Sequence, residues 1–336
     1  MLRRLSLDIS FSSLKSFLLL IFVLFASLHW LDTNASLLAE ASDNGKASLS
    51  NDSLAGLVRL VHENSNKISY MKMSLEVARE IYPDLDDEQI AKLDKELNQK
   101  GDALKKKLEG AQGGKEIVRR INKYIYNELG LRPVRFYEPE EEDPDYFFPH
   151  AVLKNKQGAC LGLSLIYLSL CERAQVPVFP IHSLQHIYVR YDDGKELINI
   201  ETTEDGKVFK EKDLIKRQKL RMEQLPKLKN IYFCPVDKLK VLGDLLNALS
   251  WCSAINTAKR PLPPARAVLA GKLCVELGEG NFSNWDTLAQ AYKYAKQPVL
   301  ALEALKKAIE LRPSPDRPFG KKYWKDRLRR FTEAAY

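Results

Sequence analysis

The chain has 336 residues, of which 45% are hydrophobic and 29% charged, and its formal net charge is +8. This composition excludes a fibrous, a disordered or a disulfide-dense protein, and the length allows two folded units preceded by a leader. The basic excess is too small to identify a partner, because a net charge of this size affects solubility and weak attraction rather than the fold.

The first 41 residues predict a separate segment. Arg3, Arg4 and Lys15 precede an apolar run over residues 17–31. This run is short for a membrane-spanning helix of about 20 residues and suits the hydrophobic region of a signal peptide. We expect residues 1–41 to be a signal peptide; the alternative is an N-terminal anchor that attaches the chain to a membrane through residues 17–31. Either one predicts an exported protein, whether periplasmic, secreted or membrane-anchored.

Residues 54–112 predict a helical lead-in. Asp86 can cap a helix there, with Gln89 three residues later completing a capping box. The buried face of this helix carries Ile90, Leu93 and Leu97. Gly101 is a point at which the helix could be interrupted.

Residues 113–206 predict the core of an α+β fold. Apolar residues from Ile117 to Leu129 recur with the period of an amphipathic helix, which Gly130 closes. Cys160 opens an apolar helix that continues to about Ala174. Strands are then predicted over residues 176–179, 186–191 and 196–203, with a turn at 192–194 between the last two.

Two charged stretches lie around this core. Residues 138–145 contain six carboxylates and two prolines, and no spacing there matches a calcium-binding loop, so we predict a solvated loop. Residues 207–235 are predicted to be a basic linker. Its part from 207 to 229 has nine basic residues, three acidic ones and a single aromatic, Phe209. Without aromatics for base stacking, nucleic-acid binding is not expected.

Residues 236–336 predict a helical region with a tetratricopeptide repeat. The positions that match the repeat spacing are Trp285, Leu288, Ala289, Tyr292, Ala301, Leu305, Ala308 and Pro313. Residues 318–333 would then form a polar capping helix, since one repeat cannot cover its own apolar face. A protein partner could bind through this region.

The five cysteines are an odd number, so at least one thiol is free even in an oxidising compartment, and we expect it to be Cys160. Cys171 lies eleven residues further along the same predicted helix, about 16 Å away, which is beyond disulfide reach. It is better interpreted as a small buried hydrophobe. The disulfide state of Cys234, Cys252 and Cys274 stays open.

Three residues predict nucleophilic chemistry when taken in order: Cys160 at a helix N-terminus, His186 at the start of a strand, and Glu201 on the neighbouring strand. The positive end of the helix and a nearby imidazole favour the reactive thiolate. His186 would act as the base and then as the acid toward the leaving amine, and Glu201 would hold the imidazole in the correct tautomer. The backbone N–H of Cys160 could contribute to an oxyanion hole.

Other residues offer alternatives. Gln157 could assist the oxyanion, and Asn199 could orient the imidazole in place of Glu201, whose side chain is one methylene longer than the more typical Asp. His182 could be the base if the strand register differs. A metal pair between His182 and His186 is not expected, because two strand residues four apart are about 13 Å distant. No cofactor or metal is predicted.

The segment from Gly158 to Thr203, which contains GACLGLSLIYLSLC and QHIYVRYDDGKELINIETT, resembles the transglutaminase-like core of bacterial proteins that carry C-terminal tetratricopeptide repeats. LDDEQIAKLDKEL and INKYIYNELG upstream are similar to the helical lead-in of the same family. The resemblance covers roughly residues 80–315. It implies a papain-like cysteine-hydrolase fold in which Cys160, His186 and Glu201 stand where the superfamily has Cys, His and Asp.

The leading hypothesis is an exported enzyme that cleaves or transfers a peptide or protein amide through a thioester on Cys160. Water as the acceptor makes it a protease or amidase, an amine makes it a transglutaminase, and the sequence does not decide between them. The second hypothesis is a catalytically inactive scaffold that binds a protein through the tetratricopeptide region. The third is a structural protein of the bacterial envelope, because a fold does not guarantee its chemistry.

Overall fold

The computed structural model describes residues 53–65, 67–134, 143–220, 228, 231–255, 259–278, 281–313 and 320–336. The predicted leader over residues 1–41 and most of the acidic loop lie outside these ranges. In the part of the chain that is described, no helix is both long and apolar enough to cross a membrane.

The described chain begins with helices, as predicted. They are α1 (Ser53–Asn64), α2 (Tyr70–Ala78) and α3 (Asp87–Leu108). The Asp86 carboxylate accepts a hydrogen bond from the Gln89 N–H at 2.8 Å, so the expected N-cap of α3 is present. The suggested interruption at Gly101 is wrong, because α3 runs through this residue. A Cβ at Gly101 would lie 2.5 Å from the Cβ of Arg173, so glycine here permits close helix packing.

The amphipathic helix predicted before Gly130 forms in two parts. Helix α4 (Gly114–Asn122) continues as a π-helical segment (Lys123–Glu128). The N–H of Leu129 still donates to the carbonyl of Tyr124, five residues back. Gly130 ends the segment with a φ of 71°, a conformation that favours glycine.

Short elements then lead into the apolar helix. They are β1 (Arg132–Pro133), a 3-10 turn (Pro144–Tyr146), α5 (Pro149–Asn155), β2 (Gln157–Gly158) and α6 (Cys160–Ala174). Strands β1 and β2 pair in parallel just before Cys160. Every residue from 161 to 171 of α6 is buried. Helix α6 is covered by α2, α3 and α5 and by the sheet that follows.

The sheet has four antiparallel strands in the order β3 (Val178–Ser183), β4 (His186–Asp192), β5 (Leu197–Glu201) and β6 (Lys207–Phe209). The predicted hairpin is therefore present, with Gly194 at a φ of 80° in its turn. The assignment of residues 207–209 to a linker needs correction. These residues pair with β5, and the Phe209 ring packs edge-on against Tyr188 at 5.0 Å.

The two faces of the sheet have different neighbours. Ile187 and Val189 belong to the same apolar cluster as α6, whereas Ile181 and Tyr188 belong to a second cluster with residues of the C-terminal region. This division follows from the alternation of side chains along a strand.

The C-terminal region is helical, as predicted. Its helices are α8 (Lys238–Ala254), α9 (Pro264–Leu277), α10 (Phe282–Tyr294), α11 (Pro298–Leu311) and α12 (Gly320–Ala335), whereas α7 (Glu211–Arg217) forms within the stretch predicted to be a linker. The buried positions of the predicted repeat are Leu288, Ala289, Ala301, Leu305 and Ala308. A buried ion pair of 2.7 Å joins Asp286 of α10 to Arg327 of α12, which covers the end of this region.

A second ion pair joins the sheet to the C-terminal helices. The Nε2 of His182, on β3, lies 2.6 Å from an oxygen of Asp244, on α8. Burial lowers the pKa of His182, but the charge and hydrogen bond of Asp244 outweigh this and raise it above its usual value. Nearby, Lys240 lowers this pKa and Asp237 raises it. A pKa that is higher in the folded state stabilises the fold below the unfolded pKa of about 6.5, and this contribution is lost as the pH rises through the folded pKa.

We expect Asp244→Asn to destabilise the protein by about 1–3 kcal/mol at pH 6 and by less at pH 9, because the protonated His182 loses the charge of its hydrogen-bond partner. Urea denaturation at the two pH values measures the difference. In a His182→Gln background the same substitution should lose its pH dependence. An equal loss of stability at both pH values in the wild-type background would contradict this role of the pair.

Candidate active site

Cys160 is the first residue of α6 and is partly exposed, in contrast to the buried helix behind it. The residue before it, Ala159, has no side chain that can cap the helix. The N-terminus of a helix carries unpaired N–H groups and a partial positive charge. This end of α6 can therefore stabilise a thiolate, or an oxyanion beside it.

The backbone around Cys160 is held by close contacts on both sides. The Ala159 N–H donates to the Tyr146 carbonyl at 2.8 Å. A Cβ at Gly162 would lie 2.5 Å from that carbonyl oxygen and 2.8 Å from a methyl group of Val152. Glycine at this position lets the segment that contains Tyr146 lie directly on the first turn of α6.

His186 lies between an acid and the thiol. Its Nε2 is 2.8 and 3.0 Å from the two carboxylate oxygens of Glu201, and Cys160 lies close enough to raise the pKa of the ring. Since Nε2 faces the acid, Nδ1 is the nitrogen left for the thiol. The His186 side chain is 20% exposed, so the ring can be reached from one side.

The pKa values of His186 and Glu201 are both shifted by neighbouring groups. Burial alone lowers the pKa of His186, but the hydrogen bonds and charges of Cys160 and Glu201 outweigh it and raise the pKa well above its usual value. Burial would raise the pKa of Glu201, whereas the His186 contact and the hydrogen bonds from Thr203 lower it overall. At neutral pH the ring is therefore an imidazolium held by a carboxylate, which favours a thiolate on an adjacent cysteine.

The sequence did not decide whether Glu201, which is one methylene longer than Asp, contacts His186. In the structure it does. Its side chain is only 3% exposed. One of its oxygens also accepts from the Thr203 N–H at 3.1 Å and from the Thr203 hydroxyl at 2.7 Å. The Glu201 carboxylate is thus held by both His186 and Thr203.

The turn after Glu201 is fastened to the helix that carries Cys160. The hydroxyls of Ser164 and Thr202 are 3.0 Å apart, and the Tyr126 hydroxyl donates to the Thr202 carbonyl at 3.2 Å. Sequence reasoning missed these residues. The available signal was the position of Ser164 four residues after Cys160, which places both on one face of the helix.

The other predicted site residues lie elsewhere. The Asn199 side chain accepts from the buried Arg190 at 2.7 Å, so it is not the group that orients His186. Gln157 is exposed and lies in β2, opposite Arg132. His182 faces Asp244 and therefore has a different partner from His186.

All five cysteines are free thiols. Cys171, Cys252 and Cys274 are buried, and burial raises the pKa of Cys171 and Cys274 well above the usual thiol value. Among the described residues no group of His, Cys, Asp or Glu side chains is arranged to hold a metal ion.

An open cleft of about 390 Å³ lies beside the same turn. It is lined by residues that include Tyr126, Arg132 and Asp205, whereas Cys160 and His186 do not line it. Tyr126, which lines this cleft, donates a hydrogen bond from its hydroxyl to the Thr202 carbonyl. The cleft is thus a neighbour of the thiol site and not its pocket.

A comparison with known protein families gives one match. Residues 91–247 match the model of the transglutaminase-like superfamily. The chain contains a transglutaminase-like domain. The match includes α6 and the whole sheet, hence Cys160, His186 and Glu201, and it leaves the helices beyond residue 247 uncovered.

Eleven chains of solved structures also match. One is a crystal structure of menin that reveals the binding site for Mixed Lineage Leukemia (MLL) protein. It superposes with a TM-score of 0.50 at 14% identity, over 84% of this chain and 65% of the menin chain. At this identity the likeness concerns the fold alone. A search of the curated proteins returns no match.

We expect Gly162→Ala to destabilise the protein by about 1–3 kcal/mol, because the added methyl group meets a backbone carbonyl that cannot swing away. Chemical denaturation measures this. The matched control is Gly56→Ala in α1, where the added group has open space and a change of about 0.5–1 kcal/mol toward stability is expected. Equal effects of the two substitutions would show that the contact with Tyr146 is unimportant.

Glu201→Gln should lower the pKa of His186 by about one unit or more, because the imidazolium loses the opposite charge beside it. Titration of the His186 ring protons by NMR measures this shift. Glu204→Gln, in the same turn, removes a carboxylate that pairs with Lys207 and Arg217 and should leave the pKa of His186 unchanged. An unchanged titration of His186 in the Glu201 variant would exclude the proposed charge pairing.

Proposed function

We propose that this protein is a thiol-dependent amide hydrolase or acyltransferase that acts through a thioester on Cys160. The observation that carries the proposal is the position of the His186 ring. The ring bonds to Glu201 and lies close enough to the Cys160 thiol, at an uncapped helix start, for that thiol to raise its pKa. The transglutaminase-like domain over residues 91–247 supports the same chemistry.

The first step joins the Cys160 sulfur to the carbonyl carbon of an amide. The N–H groups at the start of α6 are directed toward the charge that develops on the carbonyl oxygen. As the tetrahedral intermediate collapses, the C–N bond breaks and the His186 imidazolium gives its proton to the leaving amine. Glu201 keeps the ring oriented during this transfer.

The second step releases the acyl group. The neutral His186 accepts a proton from water or from an amine, which attacks the thioester carbon, and the Cys160 thiolate leaves. Water gives hydrolysis, and an amine gives a new amide. Peptide or protein amides are the substrate class proposed, and no cofactor is required for either outcome.

Export of the chain is also a proposal, and it rests on the apolar run over residues 17–31 that follows three basic residues. An exported enzyme would meet peptides and cell-envelope components. N-terminal sequencing of the protein purified from cells tests this. A soluble cytoplasmic protein that begins at Met1 would contradict it.

The second candidate function is an inactive scaffold that binds a protein partner through a tetratricopeptide region at residues 236–336. It is favoured by the packed helices α10 and α11, which carry the repeat-like positions, and by the fold shared with menin, a protein with a binding site for another protein. This candidate becomes the leading one if Cys160 proves unreactive.

Iodoacetamide should modify Cys160 faster at pH 6 than Cys234, the other partly exposed thiol, because an adjacent imidazolium favours the thiolate. His186→Ala should lower the Cys160 rate by about tenfold or more at this pH. Mass spectrometry of the labelled peptides gives both rates in one experiment.

Cys160→Ser serves as the control that assigns the label, and His186→Gln shows whether the loss depends on imidazole chemistry rather than on a missing side chain. The same proteins incubated with glutamine peptides and a fluorescent primary amine would separate transfer from ammonia release. The enzyme proposal fails if Cys160 reacts no faster than Cys234, or only after unfolding.

A further inference from the structure

Glu201 has two structural tasks. It is the last residue of β5, and its side chain caps the 3-10 turn that follows it, Thr202–Glu204. One oxygen accepts both the N–H and the hydroxyl of Thr203, and both oxygens lie within 3.0 Å of His186. The same carboxylate therefore fixes the turn and faces the imidazole.

A glutamate needs this support more than an aspartate would. Its side chain has one more rotatable bond, so an unsupported carboxylate in this place would spread over several rotamers. Hydrogen bonds to an ionised carboxylate are short and strong, and they keep it ionised. The Thr203 hydroxyl supplies such a bond, at 2.7 Å, in addition to the backbone N–H.

The turn that contains Thr203 is held in place by further hydrogen bonds. The Gly206 N–H donates to the Glu201 carbonyl at 3.0 Å, and the Asn122 side chain donates to the Gly206 carbonyl at 2.6 Å. The hydroxyl contact between Thr202 and Ser164 adds a direct link to the helix that carries the thiol. Thr203 thus acts from a turn whose position is fixed relative to α6.

We infer that Thr203 is a positioning residue of the site: its hydroxyl holds the Glu201 carboxylate in the orientation that addresses His186. This arrangement lets the longer glutamate do the work of the more typical aspartate. The catalytic meaning of the inference rests on the proposed function, but the positioning itself can be measured in an inactive protein.

The test compares Thr203→Val, which removes the hydroxyl and keeps the shape and the backbone N–H, with Thr203→Ser, which keeps the hydroxyl. In Thr203→Val the NMR titration of His186 should move down by about half to one pH unit, because the carboxylate is held less firmly in its ionised form. Thr203→Ser should titrate like the wild type. Thr287→Val, a threonine of α10 outside the site, controls for a general loss of stability.

The pH dependence of Cys160 alkylation provides a second measurement. In Thr203→Val the His186 imidazolium should lose its proton at a lower pH, so the pH profile of Cys160 alkylation should change on its basic side, and Thr203→Ser should restore the wild-type profile. A change in melting temperature without these shifts would mean that Thr203 is only structural.

The inference is overturned if His186 titrates identically in the wild type and Thr203→Val, or if Thr203→Ser or Thr287→Val shifts it equally. Failure of the proposed function has a different signature, namely a wild-type Cys160 that reacts no faster than Cys234. In that case the His186 titration still decides whether Thr203 positions Glu201.

Discussion

From residue 161 to residue 171, helix α6 is buried on every side, and this constraint organises the rest of the fold. A helix that is apolar all round must be covered on every side. Here the cover comes from the N-terminal helices on one side, the sheet on another, and the short segment around Tyr146 at the first turn. Outside the buried stretch, Cys160 at the beginning of the helix is partly exposed, and Glu172 and Arg173 near its end are exposed.

The buried hydroxyl groups of this apolar helix each form a hydrogen bond with a neighbouring group. Tyr167 donates to Asn122, Ser169 donates to the carbonyl of Leu165, and Ser164 contacts Thr202. A buried polar group that loses its partner costs about 1–3 kcal/mol, whereas an exposed ion pair contributes about 0–1 kcal/mol. The geometry of the site therefore depends more on these buried contacts than on the many ion pairs at the surface.

Local patterns predicted much of this architecture. The Asp86 cap, the apolar helix after Cys160 and the hairpin after His186 each follow from spacing within a few residues, and all three are present. The fold class follows from them. The order of Cys160, His186 and Glu201 in the chain was also readable, because Cys160 begins a predicted helix, His186 begins a predicted strand, and Glu201 lies within the strand predicted to return beside it.

Contacts between distant parts of the chain could not be predicted in this way. Whether Glu201 reaches His186 depends on strand register and on one rotamer, and the partner of His182 lies 62 residues further along the chain. Gly101 shows the same limit, since its role depends on the approach of Arg173 from another helix. Single-sequence patterns contain no information about such approaches.

The transglutaminase-like match ends at residue 247, inside α8. Leu245, Leu246 and Leu249 of that helix lie in one apolar cluster with Leu165 of α6. The part of the chain that matches the family model is therefore shorter than the part that shares one hydrophobic core. A fragment cut at residue 247 would therefore leave α6 with part of its apolar cover missing. The helices that follow the match complete the interior on which the thiol site rests, so the domain and these helices depend on each other for stability.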